Sequence, residues 1–359
     1  MDCRKSTLLL AAIMIVPGIT PLSTAAAQSY DQLKAWCFGE ATDDQTLQGC
    51  DAVIKQKRET PKGIAAALAN RGGAYYKKDE FRRALADLDE AIKLDPTNAV
   101  AFNARADVYF NSNRSELAFR DYDQAIRLDP NVAAFFNNRA NAYDESGQYD
   151  RAIEDYSRAV ALSPTSVNSL RNRGATFYRK GEYDRALQDF DAALAMKPDD
   201  ADAFDKRGVT YAAKGQFDRA IEDYDRAITI NPNAALAFNN RGSAFIAKKQ
   251  YDRAIESFSR AIQITPRFAM AIRNRGAAYA NKDDYDRAIQ DYDLAIQINP
   301  KYASAYRSRG NAYWAKGQLD RAIQDFDEAI RLNPNDTDAK ARRDEALKAK
   351  DAAQKPKAE

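Results

Sequence analysis

Histidine is absent from the 359-residue sequence. It is the side chain most used as a general base near neutral pH and the commonest metal ligand, so its absence argues against most hydrolytic and metal-dependent chemistry. The sequence also lacks a P-loop, a dinucleotide-binding fingerprint, a zinc-ligand spacing and a nucleophile motif. Catalysis by carboxylates or lysine is the enzymatic route that stays open. We therefore expect no catalytic site, no cofactor and no metal ion.

An excess of charge of one sign is also missing. The 54 Lys and Arg residues oppose 52 Asp and Glu residues, which leaves a net charge of +2. Such a balance gives no overall basic surface for nucleic acid, although a local basic patch stays possible. The composition, 45% apolar and 30% charged, is typical of a folded soluble protein. We expect no nucleic-acid partner.

Long apolar runs are scarce, and the clearest one lies in residues 1–27. It follows a basic start at Arg4 and Lys5, covers residues 8–19 and precedes a small-residue cleavage pattern that ends at Ala27. This arrangement predicts a cleaved secretory signal of bacterial type, and the run is too short for a comfortable transmembrane helix. The alternative is an uncleaved anchor. The mature chain is therefore expected in the periplasm or outside the cell, with no stable membrane insertion.

Proline is sparse but regularly spaced. Eight of the twelve prolines recur at intervals of 34 residues, from Pro96 to Pro334. A fixed period of this length indicates stacked repeats rather than separate globular domains. We number each repeat 1–34 with its proline at position 32. The repeats then span residues 65–98, 99–132, 133–166, 167–200, 201–234, 235–268, 269–302 and 303–336.

Two helices are predicted in every repeat. Position 8 is always Gly or Ala, positions 20 and 27 are always Ala, and position 11 is always aromatic. The 4–8–11 and 20–24–27 spacings each place these residues on one face of a helix. Position 15, where the turn favours glycine, is instead Asp79, Asn113, Lys249 or Asp283 in four repeats. Asp and Asn tolerate left-handed backbone, so Lys249 should cost the most.

Cys37 and Cys50 are the two cysteines left after signal cleavage. Extended backwards, the repeat register puts them at positions 7 and 20, on opposite arms of a helical hairpin. In an oxidising compartment such a pair predicts a disulfide, worth about 3 kcal/mol for so short a loop. A redox-active pair is the alternative, although the CxxC spacing is missing. Residues 28–64 are thus predicted to form a degenerate capping half-repeat, and residues 337–359 a polar capping helix with a frayed tail.

The small and aromatic positions of residues 65–336 resemble the tetratricopeptide repeat. The resemblance implies an all-α, right-handed α-solenoid of eight helix–turn–helix repeats whose first helices line a concave groove. It also implies a protein or peptide partner. Together with the signal and the cysteine pair, the NNRG and YDRAI segments look like those of secreted tetratricopeptide proteins of Gram-negative bacteria.

Arginine occupies position 7 in all eight repeats, and aspartate occupies position 23 in seven. The two positions mirror each other about the turn, so an Arg–Asp pair is predicted to link the helices of each repeat. The alternative is a basic row for an acidic ligand. Ser257 replaces the aspartate in the sixth repeat, so Arg241 is predicted to lack the partner that its equivalents have.

Asparagine is frequent at position 6, where the resemblance implies a groove. It resembles the asparagine row of the O-linked N-acetylglucosamine transferase superhelix, which holds peptide backbone through amides that donate and accept. The alternative is that asparagine is simply common here. The row is Asn70, Asn138, Asn172, Asn240 and Asn274, and it is broken at Ala104, Lys206 and Ser308.

Positions that vary between repeats should set specificity. Positions 5 and 12 carry amides, arginines and rings that suit a binding groove: Asn103, Asn137, Arg171, Arg273, Arg307, Tyr178 and Trp314. Arg171 with Arg179, and Arg273 with Arg307, are placed to receive a carboxylate. Each of these residues also fits plain solvated surface.

These features predict a non-catalytic scaffold that binds an extended peptide or a helix in its groove. The alternative is a structural subunit of a cell-envelope or polysaccharide-export assembly, and an enzyme is the least favoured reading. The oligomeric state is left open.

Overall fold

The structure, a computed structural model, describes residues 28–354. The predicted signal at residues 1–27 and the end of the predicted tail at residues 355–359 lie outside the described residues. Residues 28–354 form nineteen α-helices and no strand, which confirms the all-α helix–turn–helix prediction. None of these helices is both long and apolar enough to span a bilayer.

The chain divides into two compact units, the first ending at Asp121. The helices of this unit are α1 (Tyr30–Phe38), α2 (Asp43–Gln56), α3 (Pro61–Lys77), α4 (Phe81–Leu94), α5 (Ala99–Asn111) and the start of α6 (Ser115–Leu128). Its main core contains Leu68, Ala84, Leu88 and Val108. The predicted disulfide joins Cys37 in α1 to Cys50 in α2, and both sulfur-bearing residues are buried. The predicted disulfide is thus confirmed.

The second unit begins at Tyr122 and contains the rest of α6. Its further helices are α7 (Ala133–Glu145), α8 (Tyr149–Leu162), α9 (Val167–Arg179), α10 (Tyr183–Met196), α11 (Ala201–Ala213), α12 (Phe217–Ile230), α13 (Ala235–Ala247), α14 (Tyr251–Ile264), α15 (Ala269–Ala280), α16 (Tyr285–Ile298), α17 (Ala303–Ala315), α18 (Leu319–Leu332) and α19 (Thr337–Gln354). The helix α19 follows the last repeat, as the predicted cap requires.

Close helix contact explains the small residues at position 8. A Cβ added to Gly242 would lie 2.7 Å from the ring of Phe258, at position 24 of the same repeat. This ring is fully buried, as are its equivalents in the second unit. The aromatic ring therefore fills the space that the missing side chain leaves, as in a close-packed interior.

The turn between the two helices of a repeat uses left-handed backbone at position 15. The φ angle is +57° at Lys249, +59° at Asn113 and Asp283, and +60° at Asp79. Glycine takes the same conformation at the equivalent positions, such as Gly215 with a φ of +74°. The conformational prediction is confirmed, and Lys249 is the residue least suited to it.

Candidate functional site

Five positions of the first helix in each repeat, 5, 6, 9, 12 and 13, carry the predicted binding residues. We call them the first-helix face. All the predicted groove residues are half-buried. Asn70 and Asn103 belong to the first unit. The others lie in the second unit: Asn137, Asn138, Asn172, Asn240, Asn274, Arg171, Arg273, Arg307, Tyr178 and Trp314.

Four position-6 asparagines donate a hydrogen bond to the pair of helices before them. Nδ2 of Asn172 donates to Asn141 Oδ1 at 3.1 Å, and Nδ2 of Asn240 donates to Asp205 Oδ1 at 3.0 Å. Asn274 Nδ2 donates to the side-chain amide oxygen at position 5 of the sixth repeat, at 3.0 Å. Asn70 Nδ2 donates to the Cys37 carbonyl at 2.9 Å. Each Nδ2 carries two hydrogens, so these bonds leave one donor for a ligand. The row therefore joins neighbouring repeats, and its grip on peptide backbone stays a prediction.

Two of the three position-5 arginines have carboxylate partners. Arg171 Nη1 lies 2.7 Å from Asp200 Oδ2, and Arg307 Nη1 lies 2.9 Å from Asp336 Oδ1. Within residues 28–354, Arg273 donates only to neutral acceptors, with Nε and Nη2 at 3.2 and 3.1 Å from Ser308 Oγ. Arg273 is thus the position-5 arginine with the least compensated charge.

The remaining predicted residues have individual environments. Asn137 accepts a hydrogen bond from Ser169 at 3.2 Å, and the Trp314 ring lies 5.0 Å below the Arg342 guanidinium. In the first unit, Asn103 Oδ1 is buried without a hydrogen-bond partner in residues 28–354. Tyr178 stacks at a tilt against Tyr183, with ring centroids 5.6 Å apart.

Two adjoining pockets lie on the first-helix face of the third to fifth repeats. One, of about 220 Å³, is lined by Ala175, Tyr178, Arg179, Phe190, Asp205, Lys206 and Val209. The other, of about 200 Å³, is lined by Asn141, Asp144, Glu145, Tyr156, Asn172, Ala175, Arg179 and Lys206. They share Ala175, Arg179 and Lys206. Tyr178 and Asn172 are thus the predicted residues that line a pocket here.

Charged side chains of both signs line these pockets. Arg179 forms an ion pair with Asp144, which also accepts a hydrogen bond from Thr176 at 2.9 Å. Burial raises the pKa of the Asp205 carboxyl, and this outweighs the opposing effects of the Asn240 hydrogen bond and the Lys206 charge. Sequence reasoning named Arg179 only as a companion of Arg171 and missed Asp205 and Lys206 as lining residues. Positions 5 and 6 vary between repeats, and this variation was the sequence signal that could have identified Asp205 and Lys206.

Three of the five positions of the first-helix face lose their charged side chains beyond these pockets. In the fifth to eighth repeats, positions 9, 12 and 13 carry only small, apolar or amide side chains. They are Val209, Ala212, Ala213, Ser243, Ile246, Ala247, Ala277, Ala280, Asn281, Asn311, Trp314 and Ala315. We call positions 9, 12 and 13 of the fifth to eighth repeats the uncharged part of the face, although Arg273 and Arg307 remain at position 5 of the last two repeats.

The predicted Arg–Asp pairs form in all seven repeats that have both residues. In the fifth repeat, Arg207 Nε and Nη2 donate to the two oxygens of Asp223 at 2.8 and 2.7 Å. Sequence reasoning missed a second acid, because Arg207 Nη1 also lies 2.6 Å from Asp191, at position 25 of the preceding repeat. Aspartate recurs at position 25 in six repeats, and this recurrence was the sequence signal that could have revealed the second acid. The position-7 arginines of these seven repeats are therefore structural.

The prediction for Arg241 was wrong in part. Its Nε reaches only the hydroxyl of Ser257, at 3.2 Å, so the carboxylate within its own repeat is missing as expected. Its Nη1 nevertheless lies 2.6 Å from Asp225 of the preceding repeat. Arg241 therefore keeps an acidic partner, because Asp225 belongs to α12 of the preceding repeat and not to the helix that contains Ser257.

Metal-ligating side chains do not converge in residues 28–354, where no group of three or more Asp, Glu or Cys residues is placed to hold an ion. The contacts described on the first-helix face are hydrogen bonds, ion pairs and ring contacts.

Sequence profiles of the tetratricopeptide repeat match residues 65–98, 103–167, 137–201, 206–267 and 275–345. The chain therefore belongs to the tetratricopeptide repeat family, whose members are generally non-catalytic scaffolds for protein interaction. No curated protein matches the chain.

Solved structures share the fold. A tetratricopeptide repeat protein from Parabacteroides merdae is 21% identical with a TM-score of 0.58, over 69% of this chain and 98% of that one. A chain of the APC/C hetero-tetramer Cut9-Hcn1 is 18% identical with a TM-score of 0.57; 86% of this chain spans 60% of that one. A repeat protein fragment from Cytophaga hutchinsonii is 22% identical, with a TM-score of 0.51, over 66% of this chain and 97% of that one. At this identity the likeness concerns the fold alone.

Proposed function

We propose that the chain is a non-catalytic scaffold whose first-helix face, in the second unit, binds a segment of a partner protein. The observation that carries the proposal is the pair of adjoining pockets that share Ala175, Arg179 and Lys206. Preformed pockets of this size accept individual side chains, and rigid helices spare the complex the cost of ordering the receptor.

The two parts of the face suit different parts of one ligand. Charged side chains of the ligand pair with Asp205, Lys206 or the Arg179–Asp144 pair. Apolar side chains pack on the uncharged part, where alanines allow close approach. The second Nδ2 hydrogens of Asn172, Asn240 and Asn274 supply donors to ligand carbonyl groups. An extended peptide or a helix satisfies this pattern.

We also propose that the chain acts in the periplasm or outside the cell. The Cys37–Cys50 disulfide supports this location, because such bonds persist in oxidising compartments. Fractionation of native cells, with amino-terminal sequencing of the mature protein, tests the location. Cleavage after Ala27 is the expected result, and a full-length cytosolic protein would contradict it.

Affinity capture with matched variants tests the binding face. The double variant Y178A/K206A removes two pocket side chains, and Q188A/E222A removes two exposed side chains of second helices. We expect captured partners to be lost with the first variant and retained with the second. Retention of the same partners by Y178A/K206A, with its circular dichroism unchanged, favours the structural-subunit alternative instead.

A further inference from the structure

The helix α14 of the sixth repeat lacks two carboxylates that recur elsewhere. Ser257 stands at position 23, where the other seven repeats have aspartate, and Ser259 stands at position 25, where six repeats have aspartate. No other repeat has serine at both positions. Both positions normally hold a position-7 arginine, so the substitutions act on charge balance.

Arg241 is left with fewer partners than its equivalents. In the other seven repeats, Nε and Nη2 of the arginine contact the position-23 carboxylate at 2.7–3.0 Å. Arg241 Nε meets the hydroxyl of Ser257, and its Nη2 makes no hydrogen bond within residues 28–354. Arg275 keeps its position-23 partner, but its Nη1 meets the hydroxyl of Ser259 at 3.3 Å. The arginine charge around α14 is therefore under-compensated.

A pocket of about 550 Å³ opens beside Arg241. It is lined by Phe238, Arg241, Glu256, Ser259, Arg260 and Gln263. The Arg241 side chain is 19% exposed, and Arg260 is exposed with its Nη1 2.6 Å from Gln263 Oε1. Two arginines thus face one acidic residue among the lining side chains. None of the six lines the pockets of the first-helix face.

The eighth repeat contains the equivalent pocket with more acidic lining residues. The six equivalent positions are among its lining residues, and there Asp327 replaces Ser259 and Glu328 replaces Arg260, while Gln324 replaces Glu256 and Arg331 replaces Gln263. Asp325 also lines that pocket and accepts from Arg309 at 2.8 and 2.7 Å. The pocket of the eighth repeat therefore has acidic side chains at positions 23, 25 and 26, and the sixth repeat has none at these three positions.

We propose that the pocket in the sixth repeat binds a carboxylate from an acidic side chain of a protein partner. Arg241 and Arg260 hold it by charge-assisted hydrogen bonds, and Phe238 supplies an apolar wall. A carboxylate is favoured because it is the group that this arginine position binds in the other repeats, and a planar guanidinium matches it with two parallel bonds. The site adds a second contact to the scaffold and does not rest on binding at the first-helix face.

Calorimetric titration with a blocked hexaglutamate peptide tests the site at low ionic strength. The variant S257D/S259D supplies the missing carboxylates from within the repeat, and R260E copies the residue of the eighth repeat. We expect each to weaken hexaglutamate binding about tenfold or more, since hydrogen bonds to charged groups contribute about 1.5–3 kcal/mol. The exposed substitution R260E leaves the fold intact, so it tests the site even where S257D/S259D perturbs packing.

Ser157→Asp is the matched control, because it adds a position-25 carboxylate beside Arg173, outside this pocket. Hexaglutamate affinity should be unchanged in this variant. The proposal is overturned if the wild type does not bind hexaglutamate, if S157D weakens binding as much as S257D/S259D, or if neither pocket variant weakens it. Tighter binding of inorganic phosphate or succinate than of hexaglutamate would likewise overturn the assignment to a protein side chain.

Discussion

Replacing Arg207 with methionine should destabilise the protein far more than the same change at Arg241. Both arginines occupy position 7 and both contact two rings, at 5.4 and 5.9 Å for Arg207 and 5.2 and 5.9 Å for Arg241. Methionine keeps much of the packing at either site. The packing and cation–π contributions therefore nearly cancel in the comparison, and the difference reports on the carboxylate.

The magnitude follows from what each arginine leaves behind. Loss of Arg207 strands the Asp223 carboxylate, which is 5% exposed, and removal of one partner of such a pair costs about 3–5 kcal/mol. Loss of Arg241 strands no buried charge, because the Ser257 hydroxyl still donates to the Arg253 carbonyl at 2.9 Å. Asp225 is half-exposed and can be solvated, so this change should cost about 1–2 kcal/mol.

Urea unfolding of the two variants, together with hydrogen exchange in the affected helices, measures the difference. Exchange is needed because repeat arrays open locally and need not unfold as one unit. We expect R207M to lower protection in α11 and α12 by about 2–3 kcal/mol more than R241M lowers it in α13 and α14. Equal losses, or a larger loss in R241M, would refute the reasoning. The double variant R207M/D223N should recover part of the loss.

Three further predictions concern the turn, a pocket and the cap. Lys249→Gly should stabilise the protein by about 1 kcal/mol in urea unfolding, because a left-handed lysine is strained. Burial raises the pKa of Asp205, so the wild type gains stability as the pH falls through that pKa and loses stability as the pH rises. The variant Asp205→Asn retains an acceptor for Asn240. It should therefore be more stable than the wild type at neutral pH, and the difference in stability should shrink in acid. Reduction of the Cys37–Cys50 disulfide should destabilise the cap by about 3 kcal/mol in thermal unfolding or exchange.

Controls separate these effects from general damage. Gly215→Lys should reverse the turn effect, since it places a side chain on left-handed backbone. Gln188→Ala changes an exposed side chain that does not titrate, so its stability difference should not grow towards neutral pH as that of Asp205→Asn does. A cysteine-free variant should show no response to reductant. A pH-independent gain in Asp205→Asn, or a destabilised Lys249→Gly, would contradict the corresponding argument.

The fold was predictable because the same residues recur at fixed positions. The spacing of positions 4, 8 and 11 and of positions 20, 24 and 27 needed only helical geometry to give one face on each helix, and in the structure Gly242 at position 8 packs against Phe258 at position 24. The Arg–Asp pair within a repeat followed from mirrored positions in one hairpin. The second acid was missed because Asp225 and its equivalents belong to the neighbouring repeat, and their distance depends on how repeats stack.

The candidate site was less predictable because it depends on side-chain partners. Sequence alone placed Arg171 and Arg307 in a groove, but it could not show that Asp200 and Asp336 already pair with them. The hydrogen bond from Asn240 Nδ2 to Asp205 depends on the side-chain rotamer of Asn240 and on the position of the preceding first helix. Such details follow from tertiary packing, which a repeat pattern does not specify.

Photo-crosslinking tests the central claim, partner binding at the first-helix face, most directly. A photoreactive amino acid is placed at Ala175, which both pockets share, and separately at Gln188, an exposed residue of the second helix in the same repeat. Irradiation in native cells should give a discrete protein adduct from Ala175 and none from Gln188. An adduct from Gln188 with none from Ala175 would contradict the account.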